Sequence, residues 1–551
     1  MKKKVGIIVN SLFVSKQIKD LIELSTKSNN YEITTLILNN HNKNEFGLFS
    51  KIISYIKRHG IKKFINVRLF IFICKLENLF LKRHKKFSKF NLLTKISKEK
   101  FQIINVNPLI SKNGLVYRYS KSDIDKIAKH NLNLIIRASS GILKGEILNT
   151  CPNGVISFHH GDNNINRGGP PGFWEVYNSS PQTGFIIQRL TENLDGGDVL
   201  YKGFIKTRWY YSLNLASLYE ITNPFLHKVI EDLTSKTPKL SIYAKLPYSF
   251  PLFTTPNVYQ SISYLCLTIF RLLKKKFYTL RGMKHNWGIA YQFVDEWESV
   301  SLRNSTKIFN PKNRYFADPF IIERYGENYC FVEDFNYDEN KGSISAFKIS
   351  SNGYKELGEV LNEDFHLSFP FLFEYENQIF MCPETSAINE IRLYKCIDFP
   401  FKWVFFKTIM KNVSAADTII FHYKQKWWLL TNIDESHIQD HSCQLHVFYS
   451  SNPLNEDWKA HESNPVIFDS NRARNGGLIV QGKEIYRVFQ KQGFDLYGEG
   501  LGIAKIDNLN TKMYNETIVS NVKARFFDKI IGTHSLNFKN GLMVIDYLEI
   551  N

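Results

Sequence analysis

The second half of this chain repeats. From about Trp287 the sequence turns into short alternating runs rich in Phe, Tyr, Trp and Ile, and five similar openings recur. They are Phe316-Ala317-Asp318-Pro319-Phe320, Ser368-Phe369-Pro370-Phe371-Leu372-Phe373, Ala415-Ala416-Asp417-Thr418-Ile419-Ile420-Phe421, Arg474-Asn475-Gly476-Gly477-Leu478-Ile479 and Thr533-His534-Ser535-Leu536-Asn537-Phe538, roughly 47 to 59 residues apart. Most are followed by a second apolar strand, as in NYCFVE (328–333), QIFMCP (378–383), KWWLLT (426–431) and EIYRVFQ (484–490). A unit of this length cannot bury its own apolar faces, so it needs neighbours of the same kind. The period suits one four-stranded sheet per repeat, and five repeats predict a five-bladed β-propeller over residues 291–551.

The first half has a different grammar. KVGIIVN (4–10) reads as a buried strand, 15–26 has helical periodicity, and YEITTLILN (31–39) is a second strand. This is the βαβ opening of a doubly wound α/β domain. It has no Gly-x-Gly-x-x-Gly, so no dinucleotide is expected. Further strands are expected at 101–106 and 132–138 and a helix at 122–130. A covering helix follows at 213–234, broken or kinked at Pro224. The domain ends near residue 240. The stretch 235–256, with Pro238, Pro247, Pro251 and Pro256, reads as linker, and 241–290 adds an amphipathic helix.

Gly154 to Leu200 carries the chemistry of this half. A strand ends in Ser157-Phe158-His159-His160-Gly161, followed by Asp162. Then come Arg167-Gly168-Gly169-Pro170-Pro171-Gly172-Phe173-Trp174, Thr183-Gly184-Phe185 and Leu194-Asp195-Gly196-Gly197. A histidine at a strand end with a carboxylate in a later turn suits acyl transfer to an amine, one group handling a proton and the other orienting it. In order and spacing the run resembles the catalytic heart of the 10-formyltetrahydrofolate-dependent formyltransferases. The resemblance places His159 and Asp195 on two of that family's three catalytic positions and Ser157 on the third, where the family has Asn. It also implies that Ser157, His160 or Asp162 supplies the missing oxyanion contact or proton path. Arg137, Gly141, Ile142 and Leu143 correspond to the pterin-pocket loop, with 10-formyltetrahydrofolate as donor. Arg167 and Trp174 would hold substrate. The plainer roles are a rigid loop for 167–172, a core position for Trp174 and a simple turn at Asp195.

In the repeats, Ala317-Asp318-Pro319-Phe320, Cys382-Pro383-Glu384-Thr385-Ser386, Phe399-Pro400-x-x-Trp403 and Arg487-x-x-Gln490 resemble the N-terminal region of glucosamine inositolphosphorylceramide transferases. More distantly they resemble five-bladed glycoside hydrolases. That resemblance implies that Asp318, Glu384 and Asp417 face a central pocket, with Arg474 and His534 marking the later blades as substrate-binding positions. Two carboxylates across a sugar support glycosidic cleavage. The competing role is to pin blade starts through backbone hydrogen bonds.

At 551 residues the chain exceeds what one core supports. Its formal net charge of +19 points to an anionic partner. Much of that charge lies in a helical insertion at about 45–98, where Lys and Arg alternate with Ile, Leu and Phe. The helix around 262–276 is similar. Two roles stand side by side for these segments: solvated basic helices, or helices lying on an anionic membrane surface. Seven dispersed cysteines without a Cys-x-x-Cys pair argue against a disulfide framework or a zinc site and suit a reducing compartment, so no metal is expected. The short apolar run 5–9 reads as a strand rather than a signal peptide, and no window reaches the length of a spanning helix. The expected location is cytoplasmic, peripheral at the inner face of the membrane.

Together these features predict a formyltransferase-like enzyme acting on an amino sugar of a nucleotide-linked or lipid-linked surface-glycan precursor, with the propeller binding the glycan. Two other readings stand beside it: a glycosyl-group transferase or hydrolase on a recruited formyltransferase scaffold, and a catalytically inactive glycan-binding protein. Nucleic acid is not expected as a partner, since the charge lies in apolar-rich helices rather than on an aromatic-interleaved surface.

Overall fold

A computed structural model describes every residue except 1, 41–47, 113, 194–195, 239–241, 245, 437 and 551. The chain divides into two compact units, Met1–Gly203 with Thr207–Leu272, and Phe204–Lys206 with Leu273–Asn551.

The first unit is α/β. Its chain order is β1 (Lys3–Val9), α1 (Lys16–Lys27), β2 (Tyr31–Asn39), α2 (Leu48–His59), α3 (Ile61–Leu81), β3 (Gln102–Val106), α4 (Lys121–Ala128), β4 (Leu134–Arg137), β5 (Val155–His159), β6 (Gln182–Arg189), β7 (Asp198–Lys206) and α5 (Tyr211–Thr234). The strands form one sheet in the order β7-β6-β5-β4-β1-β2-β3. The central pairs are parallel, and β5 meets β6 antiparallel. Val5, Ile7, Leu36, Ile37, Leu134, Ile135, Val155 and Ile156 are fully buried, as expected of near-continuous apolar strands covered on both faces.

Pro224 does not break the covering helix. Helix α5 runs unbroken through it, and sixteen of its 24 residues are buried, among them Ala216, Leu218, Ile221, Phe225, Val229 and Ile230. Burial on this scale, at about 1.5–3 kcal/mol for each large apolar side chain, outweighs the ~3 kcal/mol cost of an internal proline.

The basic insertion folds as two helices, α2 and α3. Helix α3 buries the narrow stripe Phe70, Ile73, Glu77 and Leu81. Glu77 is the anchor: it accepts the backbone N–H of Ser212 at 2.8 Å and the hydroxyl of Tyr264. Tyr264 lies on α6 (Val258–Leu280). No described helix is long and apolar enough to cross a membrane.

The second unit is built from antiparallel sheets. It opens with β8 (His285–Phe293) and β9 (Thr306–Ile308). The first repeat is β10 (Arg314–Arg324), β11 (Glu327–Asn336), β12 (Lys341–Ser350) and β13 (Gly353–Leu361). The second is β14 (Ser368–Tyr375), β15 (Gln378–Glu384), β16 (Glu390–Asp398) and β17 (Lys402–Lys411). The third is β18 (Ala415–Tyr423), β19 (Lys426–Ile433), β20 (Gln444–Ser450) and β21 (Lys459–Ala460). Each of these three is a separate antiparallel meander.

The last two repeats share one sheet. In it β22 (Asn475–Gln481), β23 (Glu484–Gly493), β24 (Leu496–Leu509) and β25 (Tyr514–Lys523) form a fourth meander. Then β26 (Leu536–Lys539) and β27 (Leu542–Ile550) pair onward to β8 and β9, so the first strands of the unit complete its last repeat. The two halves of this sheet meet at one parallel pair, Ile479 with Phe538.

The opening of each of the first four repeats carries the same irregularity. The register breaks at Ala317/Phe320, Ser368/Phe371, Ala416/Ile419 and Asn475/Gly477. At those breaks Asp318, Phe369, Asp417 and Gly477 have φ of 48°, 46°, 49° and 146°. Such bulges bend a strand and re-aim a side chain. Two of the re-aimed residues are aspartates.

Candidate functional site

In the α/β unit, His159 ends β5, and its Nε2 lies 3.0 Å from the Asn166 carbonyl oxygen. A small cleft of about 80 Å³ brings His159 together with Arg137, Ile142, Leu143, Phe158 and Gln188. Four of the residues singled out in the sequence thus share one opening. Gly141 precedes them at φ 84°, and its carbonyl accepts from Arg137. Asp195 lies outside the described residues.

The other residues of this group are engaged elsewhere. Ser157 is buried, and its hydroxyl donates to the Phe158 carbonyl at 3.0 Å while accepting from Arg137 at 3.3 Å. A hydroxyl has one proton, so this arrangement leaves none for a substrate oxyanion. His160 lies between Phe158 and Tyr219, at centroid distances of 4.9 and 3.9 Å. Burial, aided by neighbouring His159, pushes its pKa down to about 3, so it is neutral and packs as an aromatic. Asp162 is buried, pairs with Lys202 at 2.8 Å and accepts from the Asn164 backbone at 3.0 Å.

Arg167 and Trp174 do not line the cleft. The Arg167 guanidinium donates to the Asn163 carbonyl at 3.0 Å and lies 4.5 Å over the Tyr248 ring. Trp174 donates to the Gly169 carbonyl at 3.2 Å and packs against Phe173 and Phe253. The loop between them is laced to Phe253, whose carbonyl oxygen would stand 2.0 Å from a Cβ added at Gly168.

The sheet-rich unit gathers far more ionisable chemistry. Asp417, from the third repeat, accepts from Arg474 Nε at 2.6 Å and from Gln490 Nε2 at 2.9 Å, both in the fourth. Arg474 Nη2 reaches to 3.7 Å from Glu384 in the second repeat, and the guanidinium lies 4.9 Å over the Tyr497 ring. Tyr497 is 5.1 Å from the His534 ring in the fifth, and Trp287 packs on His534 at 4.0 Å. Returning to the first repeat, His534 Nε2 is 3.2 Å from Asp318 Oδ1, while Nδ1 is 2.6 Å from Asp546 Oδ2. Asp546 in turn accepts the backbone N–H groups of His534 and Ser535 at 2.7 and 3.0 Å.

All five predicted positions, Asp318, Glu384, Asp417, Arg474 and His534, therefore meet in one cluster. Glu333, Gln490, Tyr497, Asp546 and Trp287 belong with them. Glu333 and Asp546 left a signal in the sequence: each is a carboxylate that directly follows an apolar run inside a strand, CFV before Glu333 and MVI before Asp546. Such a residue is buried only where something pairs with it.

Burial dominates the electrostatics. It raises the Glu333 carboxyl well above the usual range. The charges of Asp318, Glu384 and Asp417 add to this, and His534 partly offsets it. Asp417 is likewise raised, by burial first and then by Glu384 and Asp318, against the opposing pull of Arg474. His534 runs the other way: burial alone would lower it, yet Asp546 and Asp318 hold its proton well above the ordinary histidine range. Asp318, His534 and Asp546 bring three ligand-type atoms within 4.8 Å of one another. Each imidazole nitrogen faces a carboxyl oxygen, so the trio stands as an Asp–His–Asp relay with His534 at its centre.

At their other ends the first strands frame a cavity of about 470 Å³. Phe320, Phe371, Ile420, Leu478 and Phe538 line it, one from each repeat.

With this geometry in view, the family match falls on the sheet-rich half. Residues 299–537 match the family described as glucosamine inositolphosphorylceramide transferase 1, N-terminal. Glucosamine inositolphosphorylceramide transferase 1 of Arabidopsis thaliana is 35% identical over 215 residues, 38% of this chain and 28% of that protein. The protein of the same name from Oryza sativa subsp. japonica is 32% identical over 215 residues, again 38% and 28%. The chain thus spans about 28% of the length of the curated relatives it matches. Among solved structures, Zg3597, a family 117 glycoside hydrolase of Zobellia galactanivorans, is 10% identical, covering 48% of this chain and 90% of its own at a TM-score of 0.33. A sugar N-formyltransferase from Shewanella sp. is 18% identical, covering 48% and 87%, at 0.28.

Proposed function

We propose that the sheet-rich unit is a five-bladed propeller with a carbohydrate site on its axis, and that the chain is a transferase acting on a surface-glycan precursor. The observation that carries this reading is the convergence of Asp318, Glu384, Asp417, Arg474 and His534, one from each repeat, on a single ionisable cluster. The shared cavity at the other end of the same strands supports the radial arrangement. So does the closing of the last repeat by β8.

Charge narrows the ligand. Among the described residues, five carboxyl groups, Asp318, Glu333, Glu384, Asp417 and Asp546, stand with two cations, Arg474 and His534, so acidic groups are in excess even with Glu333 held protonated by burial. Such a site repels phosphate and favours the ammonium group of an amino sugar. Tyr497 and Trp287 offer apolar ring faces beside it. The relatives' name joins an amino sugar to an inositolphosphoryl lipid, and an amino-sugar ligand agrees with both observations. In a transfer reaction, carboxyl groups of raised pKa such as Glu333 and Asp417 are suited to exchange a proton with a sugar hydroxyl or amine.

The test is calorimetric titration of the full chain with glucosamine-containing oligosaccharides, their N-acetylated forms and sugar phosphates. The free amine should bind most tightly, and Glu384→Gln should weaken it about tenfold, as expected for loss of one charge-assisted contact. Preferential binding of sugar phosphates, or no effect of Glu384→Gln, overturns the reading.

The gathering of Arg137, Ile142, Leu143 and His159 in one cleft favours a second site of group transfer in the α/β unit. At about 80 Å³ the cleft is well below the ~300 Å³ at which pockets begin to enclose drug-sized ligands. To take a folate donor the cleft would have to open. A rise in melting temperature with 10-formyltetrahydrofolate that is lost in Arg137→Ala would show that the cleft opens to take it. No shift would leave the α/β unit as a scaffold.

A further inference from the structure

We propose that the face made by α3 and the first part of α6 docks the protein on a bilayer containing anionic lipid. The inference rests on this surface alone and is independent of the reading of the sheet-rich site.

Helix α3 has two apolar sides. One is the buried stripe around Glu77. On the other, Ile65, Phe72, Leu76 and Leu79 are exposed. At roughly 100° per residue these four fall within about 60° of arc. Helix α6 does the same. It buries Ser261 and Tyr264 and exposes Tyr259, Ile262, Ile269 and Phe270. The two helices are tied together, by the backbone N–H of Val258 donating to Asn66 Oδ1 at 3.1 Å and by the Tyr264 hydroxyl donating to Glu77. An extended set of large apolar side chains is thus held out to solvent on one support, far from the scattered single exposures that any surface shows.

Charge selects the occupant. Residues 48–98 carry fourteen Lys and Arg and a single acid, Glu77, which is buried. Residues 258–272, the first part of α6, carry no acid. Lys62, Arg68, Lys75 and Lys82 are exposed along the flanks of the apolar side of α3. Protein–protein interfaces are depleted in lysine at their cores. A second copy meeting this face through a twofold axis would set the same cations against one another. A bilayer surface has the complementary character: the acyl boundary takes the Phe, Leu and Ile side chains, and anionic headgroups take the long Lys and Arg, whose stems lie along the apolar surface.

Flotation of the full chain with vesicles of phosphatidylcholine, alone or mixed with phosphatidylserine, tests this. The chain should float with the mixed vesicles at about 0.1 M salt and remain below with the neutral ones. It should detach at about 1 M salt, where the Debye length falls to ~3 Å. Phe72→Ser combined with Leu79→Ser should cut vesicle binding roughly tenfold or more. Lys62→Glu with Lys75→Glu and Lys82→Glu, all at exposed positions, should do the same while leaving the melting temperature unchanged. Failure to float with the mixed vesicles overturns the proposal, as does equal floating of the charge-reversal variant. A dimer seen by analytical ultracentrifugation and dissolved by Phe72→Ser would overturn it too, by making this face a subunit interface.

Discussion

Arg474 Nε lies 2.6 Å from Asp417 Oδ2, and this contact joins the fourth repeat to the third across 57 residues of sequence. Both side chains are largely buried, at 16% and 2% exposure, so each depends on the other for its charge to be tolerated there. Breaking such a pair from one side costs about 3–5 kcal/mol. Arg474→Met should lower the urea midpoint accordingly. Asp417→Asn keeps an acceptor for Gln490 and should cost less. Equal midpoints for wild type and Arg474→Met would show that the pair contributes nothing.

The Asp546–His534–Asp318 relay makes stability depend on pH. The folded-state pKa of His534 is raised, so its contribution is fully present below the unfolded value of about 6.5 and is lost as pH rises through the folded value. Glu333 has the same sign, because a carboxyl held protonated by burial favours the fold at low pH and ceases to as pH climbs toward its folded pKa. Melting temperature should therefore fall on the alkaline side of neutrality. His534→Gln should flatten that decline between about pH 7 and 10, a range that brackets the ordinary histidine and lysine values. An unchanged slope in His534→Gln rules out the relay as its source.

Glu333→Gln separates the two groups. The amide fills the same space without a charge to suppress, so it should raise the melting temperature at about pH 8 by several degrees and leave it nearly unchanged at about pH 3, where the carboxyl is protonated in both states. A loss at both pH values would mean that Glu333 is ionised in the fold.

Gly477 sits in the fourth of the repeated bulges with φ 146°, and a Cβ there would lie 2.2 Å from the Leu536 carbonyl oxygen. Backbone cannot yield as a flexible side chain can. Gly477→Ala should destabilise by about 3 kcal/mol or more, measured by equilibrium unfolding. Gly482, at φ 61° with nothing within 4 Å of its Cβ position, is the control, and Gly482→Ala should cost about 1 kcal/mol.

Glu77 holds α3 through Ser212 and Tyr264. Glu77→Ala leaves those donors unpaired, and limited proteolysis should then cut within residues 61–81 well before the sheets are attacked. Cleavage at the wild-type rate would mean that Phe70, Ile73 and Leu81 suffice to dock the helix.

Much of the architecture was legible in the sequence. Alternation at period two marked the strands of the repeats, near-continuous apolar runs marked β1, β2 and β4, and the recurring openings located the bulged strands. These are local signals, set by which face of a strand must leave water. The same local logic misjudged Pro224, because the apolar burial of α5, set by its packing, outweighs the backbone hydrogen bond that the proline removes. The formyltransferase resemblance grouped Ser157, His160 and Asp162 with His159, but a motif fixes position along the chain and not side-chain partners. Folding turned those three to Phe158, Tyr219 and Lys202 instead.

The order of strands and the recurrence of aspartate at the openings were thus the sequence's own determination, since period and polarity are properties of neighbouring residues. Which carboxylate meets which cation was decided only in three dimensions. Asp318 and His534 are separated by 216 residues and Glu384 and Arg474 by 90, and no local preference selects such partners. They are chosen by how the repeats pack, and enforced by the cost of leaving any of these charges buried and alone.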